Sequence, residues 1–370
     1  MPGHHSLPLL AAREDELSKC AYCPKLCRAT CVVSEVEPRE SLIPGSKMTS
    51  AFEVARGAAL EPERAALAWA CSNCFRCREA CDHRNPVAET LNDARAEYVA
   101  RGQAPPALRE LLQREPELEA EHAAALARLE ATPGVLPQAS TALLLGCRYA
   151  RTFPDEARAA IQLAVSLAGP LRLVSGCCGA WQRAAGAPGA AAQAREALVR
   201  SLGRAKRFLV LEPRCALELS ELGPVTLVAL AAQHAERFEA GRFGGGERYR
   251  YHDSCALGRG LGLYDEPRAL LERIVGGAVL ELATSREQAR CSGGGGLLPV
   301  TMPEVAQGAG ERLAAEHRSL GGGRLVTACA SSLSQLRRAG TDAVDLISLL
   351  QAALVPAATT RTGADGQTDD

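Results

Sequence analysis

Apolar positions follow two different patterns along the chain, and the change falls near residue 137. Before it, apolar residues recur at helical spacing and predict three amphipathic helices, over 46–57, 61–69 and 86–102. Asn85 is a good N-cap for the third of these helices, and Pro86 suits its first position. The charged stretch 115–131 predicts a solvated connecting helix, after which Pro133, Gly134 and Pro137 break the chain.

Beyond residue 137, short apolar runs alternate with longer amphipathic segments. The short runs predict strands at 141–145, 171–175, 207–211, 248–251, 278–282 and 324–327. The segments between them predict helices at 155–167, 190–202, 267–274 and 304–319. This alternation is typical of parallel α/β sheets, and its repetition predicts an internal duplication.

These patterns divide the chain into six segments and predict an α+β protein overall. We expect a flexible N-terminus, a cysteine-rich helical domain, a helical linker, two duplicated α/β domains and a disordered tail, at 1–13, 14–102, 103–137, 138–235, 236–356 and 357–370 respectively.

Composition narrows the function without defining it. The net charge is −1, with 42 basic and 43 acidic residues, and aromatic residues make up only 4%. Neither a basic surface nor a base-stacking surface for nucleic acid is therefore expected. No signal peptide and no apolar run long enough for a membrane span are visible, so we expect a cytoplasmic protein. Peripheral attachment to the inner face of a membrane through a partner stays open.

Eight of the 15 cysteines form two crowded runs, which are the strongest chemical signal in the chain. The runs are Cys20, Cys23, Cys27, Cys31 and Cys71, Cys74, Cys77, Cys81. Four thiolates on one tight loop suit a [4Fe-4S] cluster. Two tetrahedral zinc ions are the alternative, although zinc sites usually pair two short knuckles across a longer gap.

The second run has the C-x2-C-x2-C-x3-C spacing of bacterial two-cluster ferredoxins, in which the fourth cysteine binds the other cluster. This resemblance implies two [4Fe-4S] clusters with crossed ligands. One would use Cys20, Cys23, Cys27 and Cys81, and the other Cys71, Cys74, Cys77 and Cys31. The first run departs by one extra residue before Cys27, and neither run ends in the usual proline. Nearby Lys19, Lys25, Arg28, Arg76, Arg78 and Arg84 would favour a reduced cluster, or are ordinary surface charge.

The remaining cysteines follow the predicted strands or lie between them. The first α/β domain has Cys147, Cys177, Cys178 and Cys215, and the second has Cys255, Cys291 and Cys329. Ligands usually bind at the carboxyl edge of parallel sheets. We therefore expect metal ligands among these seven cysteines.

The motif Gly176-Cys177-Cys178-Gly179 resembles the cysteine-rich CCG domain, as do Tyr251-His252-Asp253-Ser254-Cys255 and the glycine run after Cys291. Pairs of such domains occur in the B subunit of heterodisulfide reductase and in iron–sulfur subunits of glycolate and lactate oxidases. Several of those proteins also carry a two-cluster ferredoxin domain. The resemblance implies a mainly helical dicluster ferredoxin-like domain followed by two duplicated α/β CCG domains.

The chain departs from the five-cysteine pattern of those domains. Glu218 replaces one cysteine of the first domain, and Ser292 and Ser332 replace two of the second. The non-cubane cluster of heterodisulfide reductase therefore cannot form unchanged. The first domain could still hold an ordinary iron–sulfur cluster or zinc. The second domain could hold a cluster with His252 as a candidate fourth ligand, or be empty.

The resemblance implies an iron–sulfur electron-transfer subunit of an oxidoreductase. Its partner would be a flavoprotein, such as a 2-hydroxyacid oxidase, and its acceptor a quinone or another electron carrier. Two alternatives stay open: a disulfide or thiol reductase acting at the CCG-like domains, and a non-catalytic metal-binding scaffold. The sequence predicts no catalytic residue.

Overall fold

The computed structural model describes residues 7–355, and its first third is helical. Between residue 7 and the first strand, the described chain has nine helices, namely α1 (Pro8–Ala11), α2 (Glu14–Tyr22), α3 (Val32–Val36), α4 (Pro44–Ala55), α5 (Pro62–Ala66), α6 (Arg76–Glu79), α7 (Val87–Ala100), α8 (Pro106–Gln113) and α9 (Glu115–Leu129). Short 3₁₀ turns lie between them, at Leu26–Thr30, Glu40–Leu42 and Leu67–Trp69.

The described part of the N-terminus is packed, which corrects our prediction of a flexible segment over 1–13. Leu7 and Leu10 are buried, and the backbone N–H of Leu9 donates to Glu97 Oε1 at 2.6 Å. Residues 1–6 lie outside the described chain, as does the predicted tail 357–370. Two buried leucines bring enough apolar area out of water to anchor this short helix.

Helix α7 begins one residue later than predicted, with Pro86 as its N-cap. Asn85 does not cap the helix, because its side-chain amide donates to Cys20 Sγ at 3.0 Å and to the carbonyl oxygen of Glu16 at 2.8 Å. Asn85, which the sequence pattern predicted as a helix cap, therefore contacts Cys20, a candidate cluster ligand.

The connecting helix α9 is not solvated all round, in contrast to our expectation. Ala125, Leu126 and Leu129 are buried in the same apolar core as the first sheet. Their spacing of three to four residues forms one narrow apolar face among many charges. The segment is thus a helical connection that packs along one side.

The first α/β half contains four parallel strands in the order β2-β1-β3-β4. These are β1 (Thr141–Leu144), β2 (Leu171–Leu173), β3 (Arg207–Val210) and β4 (Val225–Thr226). The helices of this half are α10 (Cys147–Thr152), α11 (Pro154–Ala168), α12 (Ala180–Ala185), α13 (Pro188–Leu202), α14 (Pro213–Glu218) and α15 (Leu227–Gln233). In register, Thr141 pairs with both Leu171 and Arg207.

The second half repeats this plan, with four parallel strands in the order β6-β5-β7-β8. The strands are β5 (Tyr249–Tyr251), β6 (Leu280–Glu281), β7 (Arg324–Thr327) and β8 (Ala343–Asp345). The helices are α16 (Asp265–Val275), α17 (Leu298–Thr301), α18 (Pro303–Ser319), α19 (Ala330–Arg338) and α20 (Leu346–Ala352), with a π-helical turn at Ala256–Gly260. The identical sheet order agrees with the predicted duplication.

A shared core joins the two halves. Buried residues from both sheets form one apolar cluster, and Tyr149 Oη donates to Asp345 Oδ2 across it at 2.6 Å. The carboxyl ends of strands from both sheets can therefore open onto the same space. Within residues 7–355, no helix is both long and apolar enough to cross a membrane.

Candidate functional site

The first candidate site is a cavity of about 90 Å³ in the N-terminal domain. Its lining includes the four cysteines predicted to act together, Cys20, Cys23, Cys27 and Cys81. Cys20 lies on α2, and Asn85 donates to its sulfur. Burial raises the pKa of the Cys20 thiol to about 12, so a cation in the cavity would be needed to hold it as a thiolate.

The second site is a smaller cavity lined by the other predicted set, Cys31, Cys71, Cys74 and Cys77. The chain between Cys71 and Arg76 has no regular structure, and Asn73 and Phe75 both have positive φ. This curved backbone lets three thiols face one space. Cys77 lines the first cavity as well, so the two sites are adjacent.

These donor sets fit two iron–sulfur clusters. The lining of each cavity includes one complete set of four cysteines in the crossed arrangement that two-cluster ferredoxins use. Across residues 7–355, no three His, Cys, Asp or Glu side chains converge closely enough to hold a single metal ion. The thiols surround open cavities instead of meeting at one point.

The third site is a cavity of about 280 Å³ between the α/β halves. All seven remaining cysteines line it, that is Cys147, Cys177, Cys178, Cys215, Cys255, Cys291 and Cys329. Cys147 and Cys215 follow β1 and β3, while Cys255 and Cys329 follow β5 and β7. We expected one site in each domain, but the structure brings both sets to one cavity.

The thiols of the first half contact one another. The hydrogen bond between Cys147 and Cys177 is the main cause that raises the pKa of Cys147, and burial adds to it. Cys178 and Cys215 are also hydrogen-bonded neighbours. Glu218, at the position of the missing fifth cysteine, instead pairs with Arg183 and Arg214.

In the second half, two serines stand in place of two thiols, and their hydroxyls are hydrogen-bonded to each other. Ser292 Oγ and Ser332 Oγ are 3.2 Å apart and buried. His252 also bonds locally, with its Nε2 3.1 Å from the carbonyl oxygen of Arg290, and burial lowers its pKa. His252 lines the cavity, but its ring is engaged with the main chain.

The second and third cavities meet at Cys74 and Cys291. Their thiols are hydrogen-bonded, which is the main cause that lowers the pKa of Cys74 and raises that of Cys291. Cys291 Sγ also lies 3.4 Å from Ser72 Oγ. The glycine run allows this approach, because a Cβ on Gly296 would lie 2.3 Å from the carbonyl oxygen of Cys71.

Several cations that contact the cysteine loops were not noted from the sequence. Most of the predicted cations pair with carboxylates, as Arg28 does with Glu40 and Arg76 with Glu35. Sequence reasoning missed Lys47, Arg95 and Arg259, which contact the second cavity's cysteines. Arg95 could have been found, because it lies between Leu91 and Tyr98 on the apolar face of α7.

Comparisons with known proteins define the class. Residues 16–85 match the family model of a 4Fe-4S dicluster domain, and residues 249–337 match that of a cysteine-rich CCG domain. The chain therefore contains a 4Fe-4S dicluster ferredoxin domain and a cysteine-rich CCG domain.

Among similar proteins are two subunits of reductases and a quinone oxidoreductase. The D subunit of dihydromethanophenazine:CoB–CoM heterodisulfide reductase from Methanosarcina barkeri is 43% identical over 61 residues, 16% of this chain and 15% of that protein. The B subunit of fumarate reductase (CoM/CoB) from Methanothermobacter marburgensis is 38% identical over 82 residues, 22% of this chain and 16% of the relative. An EtfAB:quinone oxidoreductase from Syntrophomonas wolfei is 47% identical over 51 residues, 14% and 7% respectively. The chain thus aligns with less than a fifth of the length of each of these three relatives.

Proposed function

We propose that this chain is an electron-transfer subunit of an oxidoreductase. One observation supports the proposal most directly. Two adjacent cavities, each lined by one crossed set of four cysteines, share Cys77, and the second meets a third cysteine-lined cavity at Cys74 and Cys291. Such a row of candidate redox sites suits the passage of single electrons through the protein. This row of adjacent sites supports electron transfer more directly than a structural role, because structural metal sites need not lie next to one another.

In this proposal, Cys20, Cys23, Cys27 and Cys81 hold one [4Fe-4S] cluster, and Cys31, Cys71, Cys74 and Cys77 hold the other. Bound clusters would supply one-electron chemistry. The chain's own residues hold and shield them. Asn85 orients Cys20, and buried Trp69 and Met48 belong to the apolar core around Cys20, Cys71 and Cys77.

The two CCG-like halves are assigned different roles. Cys147, Cys177, Cys178 and Cys215 form a contiguous group and would hold a further iron–sulfur cluster, or zinc if the four thiols moved closer together. In the second half, the Ser292–Ser332 hydrogen bond satisfies both hydroxyls without a metal. We assign no complete metal site to Cys255, Cys291 and Cys329.

The electron donor in this proposal is a flavoprotein subunit, such as a 2-hydroxyacid oxidase, and the acceptor is a quinone or another carrier. Support comes from the resemblance to glycolate and lactate oxidase subunits, and from the similarity to a quinone oxidoreductase. Attachment to the inner face of a membrane would then occur through the partner.

Iron and sulfide analysis of anaerobically purified protein, combined with electron paramagnetic resonance, tests this proposal. We expect at least two [4Fe-4S] signals, and their reduction by a co-purifying flavoprotein and its substrate. Cys147→Ser should remove any third metal centre, whereas Cys255→Ser should leave the metal content unchanged. Zinc without sulfide, or clusters that cannot be reduced, would overturn the proposal.

Disulfide or thiol reduction is a second candidate, favoured by the third cavity. Its volume of about 280 Å³ accommodates a small molecule beside seven thiols, with Arg148 and Arg151 on its wall. Turnover of a disulfide by the reconstituted protein alone would place this activity above electron transfer. The three missing family cysteines argue against it.

A further inference from the structure

Lys47 is a buried cation in direct contact with a candidate ligand of the second cavity. Its side chain is on α4, the residue is only 2% exposed, and Nζ lies 3.3 Å from Cys31 Sγ. Among the described residues, Lys47 forms no ion pair with a carboxylate. Its positive charge is therefore directed at the sulfur.

Arg95 places a second buried positive charge at the same cavity. This side chain is fully buried and donates to the carbonyl oxygen of Cys71 at 2.9 Å. Its other acceptors are neutral, namely the carbonyl oxygens of Ala68, Ala184 and Gly296 and the amide oxygen of Asn92. Burial lowers the pKa of Arg95 to about 10, so it stays charged at neutral pH.

Arg259 is the third cation and comes from the second α/β half. Its Nε donates to the carbonyl oxygen of Cys74 at 2.6 Å, and Nη1 donates to the carbonyl oxygens of Glu287 and Ala289. Its Nη2 is buried without a hydrogen-bond partner among residues 7–355. Domain packing therefore supplies a charge that the N-terminal domain lacks on its own.

The first cavity is different, because its sulfurs receive neutral donors. The Asn85 amide donates to Cys20 Sγ at 3.0 Å, and the backbone N–H of Lys25 donates to Cys23 Sγ at 3.3 Å. Of the two lysines on its wall, Lys19 is exposed and paired with Asp15, and Lys25 is half-buried. Solvent screens these charges, and Asp82 on the same wall offsets them.

Resting on the proposed function, we infer that Lys47, Arg95 and Arg259 make the second cavity the electron sink of the N-terminal domain. A four-thiolate cluster is anionic, and its reduction adds negative charge. Buried cations stabilise that charge more than solvent-exposed ones, because the local dielectric constant is lower. Electrons then collect beside Cys74 and Cys291, at the boundary with the third cavity.

The test is an anaerobic redox titration of the full chain, monitored by electron paramagnetic resonance. The wild type should show two N-terminal centres with distinct midpoint potentials. Lys47→Met should lower only the higher potential, by about 59 mV or more, which corresponds to a tenfold weaker reduction. Lys206→Met, the same substitution at an exposed lysine in the first α/β half, should change neither potential.

Several outcomes would contradict the inference. A shift confined to the lower potential would assign the sink to the other cavity, and unchanged potentials would remove the role of Lys47. If Lys47→Met loses iron, Lys47→Gln and Lys47→Arg decide, since only Gln should lower the potential. Wild-type protein with fewer than about eight iron atoms would instead count against the proposed function itself.

Discussion

Removing the guanidinium of Arg95 should destabilise the protein more than any single surface change. In Arg95→Met, a side chain of similar length keeps the packing but loses every hydrogen bond. Four acceptors lie within 3.1 Å of the guanidinium, the carbonyl oxygens of Ala68, Cys71 and Ala184 and the amide oxygen of Asn92, and Gly296 O lies at 3.4 Å. These acceptors join the N-terminal domain to both α/β halves.

The magnitude follows from two opposing effects. Each buried acceptor left without a partner costs about 1–3 kcal/mol. Removing the buried charge regains the desolvation cost, which the lowered pKa of about 10 places on the order of 3 kcal/mol. The unsatisfied acceptors outweigh this gain, so we expect a net loss of about 4–5 kcal/mol.

Thermal unfolding, followed by circular dichroism and by loss of visible cluster absorbance, measures this effect. The Tm of Arg95→Met should fall by about 5–6 °C, because the unfolding entropy of a chain of this length is large. Arg109→Met, at an exposed position of α8, serves as the matched control and should unfold like the wild type. Arg95→Lys should be intermediate, because it keeps the charge but cannot reach all the acceptors. A Tm of Arg95→Met within about 2 °C of the control would refute the reasoning.

Three other predictions address the ligands, the glycine run and a buried acid. Cys81→Ser should abolish the signal of one N-terminal cluster and leave the other, and loss of both signals would contradict crossed ligands that act independently. Gly296→Ala should cost about 2–4 kcal/mol in denaturant titrations, because its Cβ meets backbone, whereas Gly262→Ala, also at positive φ but in open space, should cost only about 1 kcal/mol. Equal losses of stability in the two variants would show that the positive φ, and not the contact with backbone, determines the cost. Burial raises the pKa of Asp345 from 3.8 to about 7, so the folded state holds its proton more tightly than the unfolded state. Stability should therefore fall, by on the order of 4 kcal/mol, as the pH rises from about 4 to 7, and Asp345→Asn should remove this slope. If the stability of the wild type and of Asp345→Asn changed equally with pH, the contribution of Asp345 would be excluded.

Local patterns predicted much of this structure correctly. The β/α alternation predicted β1, β2, β3, β5, β6 and β7 and the duplication, because side-chain periodicity records which face of an element is buried. Two predictions, the flexible N-terminus and the Asn85 helix cap, were wrong for local reasons. Leu7 and Leu10 were too few to stand out as a packed helix, and Asn85 has a side chain that suits both a cap and a thiol.

By itself, the sequence determined that two cysteine runs exist and that three cysteines of each run can face one small cavity, since spacings of a few residues define loop geometry directly. Tertiary structure alone decided how these parts combine. It brought seven cysteines from two sheets to one cavity, and it paired Ser292 with Ser332. It also set Lys47, Arg95 and Arg259 beside the second cavity. The physical reason is that such contacts join residues far apart in the chain. They depend on how whole elements pack against one another, and spacing along the sequence does not record that packing.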